Sequence, residues 1–504
     1  MLPILPRRAM AGTLFALAML AAPLLSQAQN PGRPTPLLTA DQRREIIEGV
    51  ATEITDHYVE ADTARMIAAI VRSRLEAGAY DKASTVYDLA EMVTTDLRRV
   101  NGDLHLSLRY DPDGLVAGSG PMIIRRGGPG DPAAGAPPDG AAVPGRRVIV
   151  GGPGDGGPPG AGGAPMIRRQ VGPGPGGDDS NSPRVREARE KNFGLGKAEI
   201  LPGNVGYLEI NAFMEAPGME DALVGALKFL ERTDAMIIDV RRNGGGSGNM
   251  SHLVFSHYLG DKPVPTINVK SREEGMSREQ ESYAEVPGPR RPDVPLYVLT
   301  SRNTGSAAEE FSFVLKNLGR ATLVGDRTGG AGHMVGFFPV PHGFAVGVSQ
   351  TRVSDPRTGA EWEGVGVQPD VKCAPEKALD LAHVAALRTI AAKADDRRKL
   401  ALEMTAEWVE ARVNAEKVSP ERLSAYAGSY EGDREVKLEG GKLVYRRRGG
   451  LQMEMTPLGG GRFALGGEAR ITFPAGSPSP NFTVERADGS SGTYTRLTGH
   501  LQKD

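Results

Sequence analysis

The chain is poor in cysteine and carries almost no excess charge of either sign. Its 504 residues include one cysteine, Cys373, which excludes an intramolecular disulfide framework and a metal site built from cysteines. The 60 basic and 62 acidic side chains leave a formal net charge of −2, whereas a nucleic-acid-binding surface normally shows a clustered basic excess. We therefore expect no nucleic-acid partner, and the length predicts two or three domains.

Apolar runs long enough to span a membrane are missing beyond the N-terminus. Arg7 and Arg8 precede an apolar run over residues 9–25, and small residues at 26–28 fit a cleavage site. The pattern predicts a signal peptide over residues 1–28 and an exported protein, periplasmic or extracellular, without stable membrane insertion after cleavage. A retained anchor is the alternative, and the polar residues that follow disfavour it.

Residues 118–183 are dominated by glycine and proline. So few apolar side chains cannot offset the entropy of ordering, so we predict a disordered insert. Imperfect repeats within it couple a short apolar patch to paired arginines. A solvated spacer and a tether for an acidic partner both fit this composition.

The remaining chain divides by the period of its apolar residues. Helical spacing before residue 100 gives way to strands alternating with helices, then to alanine-rich helices, and finally to short strands with glycine turns. We predict an α/β core with an N-terminal helical subdomain and a C-terminal all-β module. The predicted parts are a helical subdomain 38–100, a core over 101–117 and 184–385, a helical linker 386–418 and a small β domain 419–504.

Ser306 stands where an apolar run, residues 294–299, leads into the helical pattern AAEEFSFVLKNL. A serine at a strand-to-helix turn lies beside the unpaired N–H groups of the helix, which favour developing negative charge. Nucleophilic catalysis is one interpretation. A simple capping box formed with Glu309 is the other.

A glycine turn, residues 244–246, follows the apolar run Met236–Val240. Such turns expose backbone N–H groups that can form an oxyanion hole. A phosphate-binding loop is disfavoured because no GxxxxGK[ST] motif is present. A purely structural turn stays open.

Three segments, SAAEEF, DVRRNGGG and WEGVGVQPD, together resemble the tail-specific (C-terminal processing) serine peptidase family. The likeness points to the branch with the tricorn core and the interphotoreceptor retinoid-binding protein. It implies a ClpP/crotonase-like peptidase core, peptide hydrolysis through an acyl-enzyme on Ser306, and oxyanion donors at Gly245 and Ala307. It implies no cofactor and no metal.

The resemblance also bears on the base. Processing peptidases usually pair the serine with a lysine, and Ala331 stands in that place here. His105, in the segment GDLHLSLRY, matches the histidine of the tricorn-like branch and is our first choice. His333 is the alternative. We expect His105 on a strand that begins near residue 102.

A carboxylate is needed to hold the imidazole tautomer. The tricorn-like branch places a glutamate before its G-V-x-P-D element, and Glu363 occupies that place, with Glu361 as a near neighbour. The sequence thus predicts an exported serine peptidase acting on peptides or proteins. A catalytically inactive binding protein for a small apolar ligand or peptide is the alternative, a surface scaffold is a third hypothesis, and the oligomeric state stays open.

Overall fold

The computed structural model describes most of the chain. The predicted signal peptide, residues 1–28, lies outside the described residues, as does the predicted insert up to residue 182. No helix in the described part is long and apolar enough to cross a membrane. The described residues are 37–112, 183–272, 277–414, 416–450 and 452–497.

Three helices form the N-terminal part of the fold. Thr39 and Thr85 each begin a helix with a capping box, which satisfies N–H groups of the first turn. The apolar faces of the three helices share one core with the first strand. These elements are α1 (Ala40–His57), α2 (Ala61–Glu76), a 3₁₀ turn (Ala79–Lys82), α3 (Val86–Leu97) and β1 (Ser107–Tyr110).

A six-stranded sheet forms the centre of the molecule, and five of its strands run parallel. The strand of this sheet that comes first in the chain pairs antiparallel at one edge. In spatial order the strands are β11 (Val371–Lys372), β8 (Thr322–Gly325), β7 (Leu296–Thr300), β4 (Ala235–Asp239), β3 (Val205–Ile210) and β2 (Leu195–Leu201).

Helices cover both faces of this sheet. Ile238 and Val298 pack with one set of helices, while their neighbours Ile237 and Tyr297 pack with another, because successive residues of a strand point to opposite faces. The prediction of a mixed α/β architecture is confirmed. The helices are α4 (Pro183–Glu190), which precedes β2, then α5 (Met219–Phe229), α6 (Gly248–Ser256) and α7 (Ala307–Asn317) on the first face, and α8 (Pro375–Ala391) and α9 (Asp396–Val413) on the second.

A second, antiparallel sheet connects the N-terminal part to the core. Its strand order is β1, β10, β5, β6, and β9 also pairs with β10. Ser107 lies opposite Gly347 in this sheet. This pairing places the turn before β1 close to the part of the chain that follows α7. The strands are β5 (Pro265–Ser271), β6 (Ser277–Glu281), β9 (Met334–Val340) and β10 (Phe344–Ser354).

The C-terminal part consists of one short helix and two antiparallel sheets around their own apolar core. The predicted domain boundaries stay predictions. The elements are α10 (Pro420–Tyr426), then β12 (Gly428–Tyr430), β13 (Arg434–Glu439), β14 (Lys442–Arg447) and β15 (Met453–Glu454) in one sheet, and β16 (Thr456–Gly459), β17 (Arg462–Leu465), β18 (Ala469–Thr472), β19 (Asn481–Arg486) and β20 (Ser491–Thr495) in the other.

Candidate active site

Ser306 lies between β7 and α7, as the sequence predicts, in a strained backbone conformation. Its φ is 51° and its ψ is −121°, a region that non-glycine residues seldom adopt and that clusters at active sites. The backbone oxygen of Ser306 accepts the N–H groups of Glu309 and Glu310 at 2.8 and 3.0 Å. The start of the helix is therefore bonded through the backbone, and Oγ points elsewhere.

Glu309 holds the turn at Ser306 through hydrogen bonds of its carboxylate. Its Oε2 accepts the N–H of Ser306 at 2.9 Å, one half of the predicted capping box. The carboxylate also accepts Thr328 Oγ1 and the N–H groups of Gly330 and Ala331, at 2.5, 2.6 and 2.7 Å. Burial raises the pKa of Glu309 although these hydrogen bonds oppose the shift. Sequence reasoning missed this second role.

His105 is the residue that meets the serine. Its Nε2 lies 3.3 Å from Ser306 Oγ, although the two residues are 201 positions apart. The expectation that His105 lies on a strand is wrong, because it belongs to the turn that precedes β1. Arg98, which caps the C-terminus of α3, holds this turn by donating to the backbone oxygens of Leu104 and Leu106, at 2.7 and 2.9 Å.

The other ring nitrogen of His105 faces Asp103. The Nδ1 atom is buried and has no hydrogen-bond partner among the described residues, and Asp103 Oδ1 lies 4.0 Å from it. Burial lowers the pKa of His105 to about 4, against the opposing charge of Asp103. The imidazole is therefore neutral at neutral pH and able to accept a proton at Nε2.

Sequence reasoning also missed Asp103. Its carboxylate is fully buried, and burial alone would raise its pKa. The hydrogen bond and charge of His333 outweigh burial and lower the pKa of Asp103 to about 2. The signal that could have found it is the spacing Asp103-x-His105, since the side chain accepts the N–H of His105 at 2.9 Å.

His333 and Glu363 lie on the far side of Asp103. His333 Nδ1 is 3.0 Å from Asp103 Oδ2 and 3.8 Å from Glu363 Oε2. Glu363 Oε2 accepts the N–H groups of Gly332 and His333, at 2.6 and 3.0 Å. Among the described residues, the carboxylate within 4.0 Å of the His105 ring is that of Asp103. Glu363 contacts His333, and His333 in turn contacts Asp103. The neighbouring candidate, Glu361, binds Arg352 at 2.7 Å.

Both groups have pKa values displaced by this arrangement. Burial lowers the pKa of His333, but the hydrogen bond to Asp103 and the charge of Glu363 outweigh it, so the net shift is upward. Burial and the charge of Asp103 raise the pKa of Glu363, although His333 opposes the shift. The two neighbouring carboxylates favour the charged form of His333, whereas burial and the charge of Asp103 disfavour the ionised form of Glu363.

The predicted oxyanion donors flank the serine. A Cβ atom on Gly245 would lie only 2.8 Å from Ser306 Cβ, so the glycine turn packs directly against Ser306. The N–H of Gly245 donates to Asn243 Oδ1 at 2.9 Å. The N–H of Ala307, the first residue of α7, has no acceptor in the described part of the chain. It lies at the N-terminal end of the helix, where the helix dipole favours an anion.

Asp103, His333 and Glu363 also form the one group of described residues whose atoms are near enough to hold a metal ion, within 4.8 Å of one another. The hydrogen bond between His333 and Asp103 and the two backbone donors to Glu363 account for this proximity. The expected absence of a metal stays a prediction.

A serine paired with a neutral histidine at a strained turn of an α/β fold defines a serine-hydrolase type of site. Residues 204–373 match the family described as Peptidase family S41, and residues 37–121 match the N-terminal domain of this family in eukaryotic IRBP. The chain therefore belongs to peptidase family S41, whose processing proteases are serine peptidases.

Several proteins of known name resemble this chain. A carboxyl-terminal-processing protease of Picosynechococcus sp. is 29% identical over 169 residues, covering 33% of this chain and 38% of the relative. A protein of the same name from Synechocystis sp. is 31% identical over 173 residues, covering 34% and 38%. The solved photosystem II D1 C-terminal processing protease has a TM-score of 0.35 and 19% identity, covering 67% of this chain and 94% of its own. The matched segment thus spans under two fifths of these two curated relatives.

Proposed function

We propose that this protein is an exported serine peptidase that hydrolyses peptide bonds through an acyl-enzyme on Ser306. The observation that carries the proposal is the 3.3 Å contact between Ser306 Oγ and His105 Nε2. The nucleophile sits in a strained turn and its neighbour is a buried imidazole whose pKa lies far below neutrality. An activated nucleophile needs this pairing with a base within hydrogen-bond reach.

The first half of the reaction forms the acyl-enzyme. His105 Nε2 accepts the Oγ proton as Ser306 Oγ bonds to the peptide carbonyl carbon. The carbonyl oxygen becomes an anion that accepts the N–H of Ala307, and the N–H of Gly245 once it exchanges its bond to Asn243. The C–N bond then breaks, and His105 returns its proton to the leaving amine.

The second half releases the product. Water gives a proton to His105 Nε2 and its oxygen attacks the ester carbon. The bond to Ser306 Oγ breaks, and His105 reprotonates that oxygen. Alanine at position 331 supplies no base, and its N–H donates to Glu309 instead. No step requires a cofactor or a metal.

Glu363 stays in the proposed site as the carboxylate expected from sequence. It connects to His105 through His333 and Asp103 rather than by direct contact. His333, the alternative base, has its Nδ1 engaged with Asp103. We therefore assign proton transfer to His105.

The proposal also includes a substrate, a compartment and a type of core. Relatives named as carboxyl-terminal-processing proteases make the C-terminal part of a protein the proposed substrate. Residues 1–28 support export to the periplasm or beyond. We also propose that the central sheet with its helices is a ClpP/crotonase-like core, which the family membership favours.

An active-serine probe tests the proposal directly. A fluorophosphonate should label the purified protein, and Ser306→Ala should abolish labelling and reduce hydrolysis of an unstructured protein by about 10⁴-fold or more. Ser312→Ala is the matched control, because this α7 serine is buried and donates to a backbone oxygen at 2.8 Å. Saturable binding of a small apolar ligand without any labelling would instead establish the inactive carrier.

A further inference from the structure

We infer that His333 and Glu363 are positioning residues that act on the base His105 through the shared carboxylate of Asp103. The inference rests on the proposed peptidase function and concerns what orients its imidazole. One buried carboxylate faces two imidazoles: Oδ1 lies 4.0 Å from His105 Nδ1, and Oδ2 lies 3.0 Å from His333 Nδ1.

Both oxygens of Asp103 are held, and Oδ1 accepts the backbone N–H of His105 at 2.9 Å. Its Oδ2 accepts His333 Nδ1 and also the hydroxyl of Tyr58 at 3.1 Å. Asn101 donates to that hydroxyl at 2.6 Å. With Oδ2 bound to two donors, rotation of the carboxylate is restricted, and Oδ1 is left toward the ring nitrogen of His105. Removal of His333 would leave Oδ2 with the Tyr58 hydroxyl as its donor and hold the carboxylate less firmly.

Glu363 holds His333 in turn. Its Oε2 is fixed by two backbone N–H groups of the turn that carries His333, and it lies 3.8 Å from the ring Nδ1. Its other oxygen is buried without a partner among the described residues. A buried negative charge at this distance favours the ring form that donates to Asp103. Glu363 thus acts on His333, His333 acts on Asp103, and Asp103 acts on His105.

The arrangement matters most when His105 becomes charged. As the ring takes the serine proton, Nδ1–H faces Asp103 Oδ1, and an oriented carboxylate stabilises the imidazolium. At 4.0 Å the ring and carboxylate must approach each other for a hydrogen bond, as catalytic contacts often do on substrate binding. A less firmly held Asp103 would make that approach less frequent, so the loss should fall on turnover rather than on substrate binding.

A double-mutant cycle tests this order of action. We expect His333→Gln to lower kcat by about tenfold while KM stays within about twofold, and Asp103→Asn to lower kcat more. In the Asp103→Asn background, His333→Gln should cost less than about twofold further, because the residue through which it acts is already altered. His383→Gln is the control, a buried histidine of α8 that binds a backbone oxygen at 2.8 Å and should leave kcat unchanged.

Two outcomes overturn the inference. One is an equal loss from His333→Gln in both backgrounds, since independent sites add. The other is a loss confined to KM. If His333→Gln does not fold, Glu363→Gln replaces it in the same cycle with the same two outcomes. Fluorophosphonate labelling of the parent separates the two proposals: without Ser306-dependent labelling the peptidase itself fails, whereas labelling with an additive cycle defeats this inference alone.

Discussion

The carboxylate of Glu309 binds the backbone N–H of Ser306, with 2.9 Å between Oε2 and N. The same side chain accepts three donors from residues 328–331. One buried acid therefore sets the position of the nucleophile relative to the glycine-rich turn after β8. That turn leads directly to His333, so Glu309 connects the part of the site that contains Ser306 with the part that contains His333.

Replacing Glu309 should cost both stability and activity. Glu309→Gln puts an NH₂ group where backbone donors need an acceptor, and buried donors without partners cost about 1–3 kcal/mol each. We expect a loss of about 2–4 kcal/mol in the free energy of unfolding, measured by urea denaturation, and a lower kcat because Ser306 shifts. A change below about 0.5 kcal/mol, the size typical of surface substitutions, would contradict this assignment.

Glu310, the next residue of α7, should respond in the opposite way. Burial raises its pKa from 4.5 to about 8. Between these values the unfolded chain has lost a proton that the folded chain retains, so rising pH favours unfolding through this window. Glu310→Gln removes that penalty. Its Tm relative to the parent should rise more at about pH 8 than at about pH 5, by calorimetry at both values. Equal shifts would show that the carboxyl is solvated.

Sequence reasoning could place Ser306 and His105 because each stands in a local pattern, a strand-to-helix turn and the segment GDLH. The proposed orienting carboxylate, Asp103, could be suspected from its spacing to His105 but not chosen from sequence alone. Asp103 lies two residues before His105, yet its proposed role depends on His333, 230 positions away, which the pairing of β1 and β9 with β10 brings beside it. Choosing among several nearby acids requires knowing which of them tertiary packing turns toward the ring.

The layered α/β core was more accessible. The strand that contains Ile237 and Ile238 is apolar without alternation because helices cover both of its faces. The turn that carries His105 could not be predicted in this way, because the alternating leucines after Asn101 are equally typical of a strand that begins earlier. Arg98 donates to the backbone oxygens of that turn, and this contact from the C-cap of α3 has no sequence signature.

Gly245 should tolerate no side chain. Its φ is 112°, and an added Cβ would come within 2.8 Å of Ser306 Cβ and 2.9 Å of the Gly305 oxygen. Gly245→Ala therefore strains the backbone and pushes the turn off the nucleophile. We expect turnover to fall by about 10²-fold, the scale of losing one oxyanion donor. Gly225→Ala, on the open side of α5, is the control, and both are compared by kcat on one peptide. Equal activities would remove Gly245 from the site.

The pH dependence of hydrolysis reports the burial of His105. A solvated imidazole would titrate near about 6.5, but burial lowers the pKa of His105 to about 4. The charge of Asp103 opposes this shift, while the charges of His333 and Arg98 add to it. A base with this pKa stays neutral, and active, as the pH falls from neutrality, and loses activity only as protonation sets in.

We therefore expect kcat/KM to hold nearly level between about pH 7 and about pH 5.5 and to decline through about pH 4. Asp103, with a pKa of about 2, stays ionised over this range, so the decline does not come from its carboxyl. Circular dichroism at each pH must show a folded chain, because acid unfolding would mimic the loss. A decline centred at about 6.5 in folded protein would mean that water reaches the ring, and that the 3.3 Å contact with Ser306 forms in a wet site rather than a buried one.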